Sequence, residues 1–209
     1  MDMNWKEKVL YIVKDITLND NNRKFKEIIK EPWEFAHSKP GELGRADQDE
    51  YTETNWQREL LFEKETNCWY DGELPIGQVV KCGKVTKVCR VDLVGMIESH
   101  PVICELKYTK KAGQPFDALL QLLAYYCMIV NNADKLDQCD IHHENEDVKG
   151  FNWGDFKNNN PILILRANKT YWSNWSKTTN KNMAAKKIIE VCKKYGLEIQ
   201  LWNGKRPIE

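Results

Sequence analysis

Arg90-Val91-Asp92-Leu93-Val94-Gly95, a turn at Glu98-Ser99-His100-Pro101, and Val102-Ile103-Cys104-Glu105-Leu106-Lys107 form the stretch from which the fold is read. Two short apolar runs rich in β-branched residues, parted by a polar turn with a proline, predict paired strands in a hairpin. Side chains alternate along a strand, so Arg90 and Asp92 share one face, as do Glu105 and Lys107. Burying a carboxylate or ammonium without a partner costs several kcal/mol, and a hairpin that only packs has no use for four such groups. These charges need each other, or a metal.

Phosphodiester hydrolysis is the chemistry that suits the pattern. Asp92 and Glu105 offer hard anionic oxygens for one or two Mg²⁺ or Mn²⁺ ions, and the Leu106 carbonyl is a further candidate ligand. Lys107, on the face of Glu105, is placed to hold an attacking water or to stabilise the pentacovalent phosphate. The competing reading is a surface Glu105–Lys107 ion pair, which is worth little and needs no function. Apolar neighbours on both sides speak against so exposed a hairpin.

Asp92, with Glu105-Leu106-Lys107 thirteen residues on, is preceded by Arg90 and followed by a helical segment with Gln121 and Tyr125 four apart. This conjunction resembles the PD-(D/E)XK nuclease superfamily, and the Gln-x-x-x-Tyr helix resembles its RecB-like branch. The resemblance covers roughly residues 54–167. Val91 stands where the motif's name has proline, a departure many members share. A Glu-x-Lys triplet alone is expected about once in a chain of this length, so the weight lies on the spacing, the apolar strands and the helix together. The resemblance implies a restriction-endonuclease-like αβββαβ core, an α/β fold with a mixed central sheet flanked by helices. It implies Asp92, Glu105 and Lys107 as catalytic residues, with Asp92, Glu105 and Leu106 at the metal. Arg90, Gln121 and Tyr125 are the implied substrate-side residues, Gln121 contacting the nucleic-acid backbone or ordering Lys107. A helix ahead of the first strand often adds a Glu in that superfamily. Here Thr54 and Gln57 make a capping-box pattern for a helix running to about Thr66, and Glu59 is preferred over Glu63 for that role. Either carboxylate has a plain alternative as a solvated helix-surface group.

Outside the motif, three strands are expected in sequence: Ile76 to Cys82, Val85 to Met96 with a Gly83-Lys84 turn between, and Val102 to Lys107. Gln114-Pro115 opens a helix to Val130, since Pro suits the first helical position; Asp117, Gln121 and Tyr125 line one face of it. Pro161-Ile162-Leu163-Ile164-Leu165-Arg166 predicts a strand buried on both faces, Asn182 to Lys194 a helix, and Ile199 to Trp202 an edge strand. Residues 4–30 read as two amphipathic helices, an N-terminal extension over residues 1–50 ahead of a nuclease-like domain over 51–209; packing is its ordinary role, gating or dimer formation the functional one. Residues 36–53 and 131–160 read as polar loops. In the second, His142 and His143 beside Glu144, Glu146 and Asp147 lack metal-ligand spacing. Trp172, Trp175 and Tyr171 suit either base stacking or packing beneath the last helix.

With 209 residues, 42% hydrophobic and 30% charged, the chain has the composition of a globular protein and no apolar run of membrane-span length. Its N-terminus lacks a signal-peptide core, so a cytoplasmic location is expected. Seven cysteines form no Cys-x-x-Cys pair; reduced core thiols are expected rather than disulfides or an iron-sulfur cluster. Net charge is zero, yet from Pro161 to Glu209 ten Lys and Arg stand against three Glu. A neutral total can hide a basic face for phosphates, and solvated helix lysines account for it equally. The expected function is a Mg²⁺- or Mn²⁺-dependent deoxyribonuclease acting on single- or double-stranded DNA in restriction, recombination or defence, alone, as a homodimer or with a partner protein. The alternatives are an inert nuclease-like fold that binds nucleic acid or protein, and an unrelated scaffold with a structural charge network.

Overall fold

The computed structural model describes residues 51–62, 68–82, 84–109, 114–137 and 152–208, together with Glu7, Tyr11, Ile12, Lys14 and Asp15. Most of the expected N-terminal helices and following loop, Glu63, and the His142-His143 cluster lie outside these residues.

Three consecutive antiparallel strands, β1 (Trp69–Lys81), β2 (Lys84–Ile97) and β3 (His100–Lys107), are followed by β4 (Ile162–Ala167) and β5 (Glu198–Asn203), each parallel to its predecessor, and by a short antiparallel β6 (Arg206–Pro207). The six strands form one mixed open sheet in chain order. Helix α1 (Glu53–Leu61) precedes the sheet. Helix α2 (Pro115–Asp137) and the single turn α3 (Asp155–Asn158) connect β3 to β4, and α4 (Lys169–Trp172) and α5 (Asn180–Lys194) connect β4 to β5.

Alternation along the central strands divides the core in two. Ile103, Leu163 and Leu165 pack with α2 and α5, whereas Val102, Cys104, Leu106, Ile162 and Ile164 pack with Leu60 and Leu61 of α1. Every residue of β4 is buried, as a parallel strand covered on both faces requires. Ile12 belongs to the larger core, and Asp15 accepts hydrogen bonds from Lys194 Nζ and Tyr195 Oη, both at 2.8 Å. The N-terminal segment is therefore tied to the end of α5 at these positions. No helix among the described residues is long and apolar enough to cross a membrane.

The expected strands are present, and their limits shift for identifiable reasons. β1 begins seven residues before Ile76, its extra length paired with β2 through bulges between Trp69 and Asp71 and between Pro75 and Gly77. Lys81 pairs with Lys84, so Lys84 belongs to β2 rather than to the first turn, and Cys82 has φ 51°. The second turn is Glu98-Ser99 alone, both with positive φ (48° and 70°), the form whose twist matches flanking strands. His100 and Pro101 join β3. Gly95 is required where β1 starts, since a Cβ there would stand 1.7 Å from the Cys68 carbonyl oxygen.

Two helices also differ. α1 is capped at Thr52, not Thr54, with Asn55 completing the reciprocal cap: Thr52 Oγ1 accepts from Asn55 N at 3.4 Å and Asn55 Oδ1 accepts from Thr52 N at 3.2 Å. α2 runs seven residues past Val130, and the segment expected to be polar loop buries Trp153 and Phe156. The described cysteines form no disulfide; Cys104 and Cys192 are buried, while Cys82 is exposed rather than in the core.

Candidate active site

The site forms where β2 and β3 part. Their ladder ends at the pair Leu93 and Cys104, and one step further Asp92 would stand across from Glu105. There the Asp92 carboxylate replaces the backbone partner, its Oδ2 accepting the Leu106 N–H at 2.6 Å. Asp92 shares a face with Val94, and Glu105 with Ile103; both of these neighbours lie in the core beneath α2. The two carboxylates therefore face the same side of the sheet, at the C-terminal end of β3 beside the parallel strand β4.

Lys107 Nζ donates to Glu105 Oε1. Glu105 is 1% exposed, and its second oxygen, Oε2, has no hydrogen-bond partner among the described residues. Burial, then the charge of Glu105, holds the Asp92 carboxyl well above the usual range, against Lys107 and the Leu106 N–H. Burial likewise pushes Glu105 up to about 7, although Lys107 opposes it. For Lys107 burial favours the neutral amine, but the charges of Glu105 and Asp92 outweigh it and the pKa rises. The lysine is thus an ammonium donor rather than a base.

Of the described carboxylates on α1, Glu53 rather than the expected Glu59 is directed to this end of β3. Glu53 Oε2 accepts the Tyr108 N–H at 2.7 Å, and its charge acts on Asp92, Glu105 and Lys107. Glu59 is exposed and takes the Tyr51 hydroxyl at 2.5 Å. At about 100° per residue, Glu59 lies roughly 240° around the helix from Glu53, whereas Gln57 lies only about 40° away. Gln57 is buried, its Nε2 donating to the Asp92 carbonyl at 2.5 Å and to Glu73 Oε1 at 3.3 Å. Neither Glu53 nor Glu73 carries a role in the sequence reading, where Gln57 serves only as a capping residue. The Thr52-x-x-Asn55 cap was the available signal, since it sets the helix phase two residues earlier.

Gln121 and Tyr125 are brought to the centre from α2. Gln121 Nε2 donates to Tyr125 Oη, so it orders the tyrosine rather than Lys107. Burial, then the charges of Glu105, Cys89 and Asp92, keep the Tyr125 phenol protonated. Arg90 Nη1 donates at 3.3 Å to the carbonyl of Glu73, a residue at φ 52°. Leu106 contributes its N–H to Asp92 and its side chain to the α1-side core.

Among the described residues, no group of three or more His, Cys, Asp or Glu side chains could hold a metal ion. Mg²⁺, however, is commonly held by one or two carboxylates and keeps several waters. Asp92 with the unpartnered Glu105 Oε2 satisfies that smaller requirement. Comparisons with protein-family models, curated proteins and solved structures find no match to this chain.

Proposed function

We propose that this chain is a metal-dependent nuclease that hydrolyses phosphodiester bonds of DNA. The observation that carries the reading is a pair of carboxylates on one sheet face, Asp92 half-buried and Glu105 fully buried, with Glu105 Oε2 unpartnered among the described residues and the Lys107 ammonium on Oε1. Two such acids under a single ammonium leave excess negative charge in a buried place, a costly arrangement unless a cation joins them. Asp92 and Glu105 would hold Mg²⁺ or Mn²⁺, which when bound supplies Lewis-acid charge on the phosphate and a water of lowered pKa.

The remaining steps belong to the chain. Lys107 keeps its proton and directs N–H donors toward the attacking water or the phosphate oxygens. Gln57 pins the Asp92 backbone, and Leu106 fixes the orientation of its carboxylate. Tyr125, ordered by Gln121, closes the α2 side with a neutral phenol. Such a centre fits restriction, recombination or defence against foreign DNA.

A second reading, an inert nuclease-like fold that binds nucleic acid or protein, draws on the small donor set and the Lys107–Glu105 pair, which by itself is a self-contained charge network. Cleavage separates the two. Circular, linear, nicked and single-stranded DNA should be cut by the wild type with Mg²⁺ or Mn²⁺, not with chelator, and at least about 100-fold more slowly by Asp92→Asn. DNA binding without Asp92-dependent cutting of any substrate would favour the inert module.

A further inference from the structure

Glu73 stands on β1 between the pairs Gly72–Leu93 and Leu74–Val91, level with Asp92 on the neighbouring strand. Its backbone is left-handed, at φ 52°. A Cβ crowds the backbone in that conformation, so a residue such as Glu is strained there, whereas glycine takes it freely. Two contacts hold Glu73 in place. Arg90 Nη1 donates to its carbonyl at 3.3 Å, and Gln57 Nε2 donates to its Oε1 at 3.3 Å. Strained backbone of this kind persists where the surroundings over-determine it, and it collects at working sites.

Gln57 shows what the strain serves. It is 3% exposed, and the Nε2 that donates to Glu73 also donates to the Asp92 carbonyl at 2.5 Å. The two hydrogens of one amide nitrogen are divided between Glu73 and Asp92, and turning the amide over would set its oxygen against both acceptors. Glu73 thereby fixes the sense of the amide that holds the Asp92 backbone. Asp92 depends on that hold, because it lies beyond the last β2–β3 pair and reaches the Leu106 N–H only through its own Oδ2, at 2.6 Å. We propose that Glu73 is a positioning residue, acting through Gln57 to keep the Asp92 carboxylate in place, and that its left-handed backbone serves to aim its carboxylate at Gln57. This rests on the nuclease reading of the carboxylate centre.

Glu73→Gly in the full chain removes the carboxylate and relieves the backbone, so stability and activity should move apart. The melting temperature should hold or rise, while kcat for cleavage of a DNA duplex with Mg²⁺ falls about tenfold and KM stays within about twofold. Glu73→Gln keeps an acceptor oxygen for Gln57, and its kcat should stay within about threefold of the wild type. Hydrogen exchange supplies a readout without cleavage. The Leu106 amide, whose acceptor is Asp92, should exchange about tenfold faster relative to the Leu165 amide of β4 in Glu73→Gly, and at the wild-type ratio in Glu73→Gln. This ratio cancels a change in global stability, so it also decides if the glycine variant melts lower. An unchanged ratio or an unchanged kcat in Glu73→Gly overturns the role of Glu73. A Glu73→Gln as slow as Glu73→Gly does so too, since the charge rather than the hydrogen bond would then matter. Each of these leaves the nuclease reading intact, provided cleavage depends on Asp92. A wild type with no Asp92-dependent cleavage removes that reading, and the exchange ratio alone then decides whether Glu73 positions Asp92.

Discussion

Glu105 carries the conflict from which the functional reading grows. Its carboxyl is held at about 7 in the folded protein against an ordinary 4.5, chiefly by burial. The folded chain thus binds this proton more tightly than the unfolded chain, and stability falls as pH rises across that window. The loss from this one residue is on the order of 3 kcal/mol. In Glu105→Gln the amide oxygen can still accept from Lys107, and the charge that burial penalises is gone. Chemical denaturation at pH 5 and pH 8 should show the wild type less stable at the higher pH, and the variant with a markedly flatter dependence and no cleavage. Equal slopes for the two proteins would mean that Glu105 titrates as a solvated acid.

At the scale of elements, α1 shows how a two-residue error in a cap changes a functional assignment. The Thr52 cap turns Glu53 and Gln57 toward Asp92 and sends Glu59 to solvent beside Tyr51. Through the Tyr108 N–H, Glu53 also fastens the start of α1 to the end of β3. Glu53→Gln should therefore slow cleavage about tenfold or more, because its charge acts on all three central groups, while Glu59→Gln leaves the rate within about twofold. Initial rates on one DNA substrate with Mg²⁺ check the pair, and the reverse order of effects would restore Glu59 as the helix carboxylate. The β1–β2 hairpin makes a related point. The strand expected from Ile76 reaches back to Trp69, because bulges keep the earlier residues in register with β2.

For the whole molecule, the mixed sheet with helices on both faces sets the acids at the C-terminal end of β3, where α1, α2 and α4 all supply neighbours. A cation bound there joins the folded state only, so it should raise stability by mass action. At pH 8, saturating Mg²⁺ is expected to raise the melting temperature by roughly 5–10 °C. The shift should be smaller at pH 5, because Glu105, raised to about 7, is then protonated and protons compete with the metal, with the upward displacement of Asp92 acting in the same direction. Asp92→Asn should remove most of the shift. Thermal melts with Mg²⁺ and with chelator test this, and identical melting in both would remove the metal from the reading.

The local signals determined which segments are strands and helices, because apolar alternation and continuous apolar runs have few other uses. They also placed Asp92, Glu105 and Lys107 on strands, and Gln121 and Tyr125 on one helix face. Folding decided the rest. Glu53, Gln57 and Glu73 lie far from Glu105 in sequence and carry no motif of their own. They become neighbours only when α1 packs at the end of β3 and β1, which carries Glu73, pairs with β2, since burial and hydrogen-bond partners depend on what the chain places alongside, not on what precedes or follows a residue.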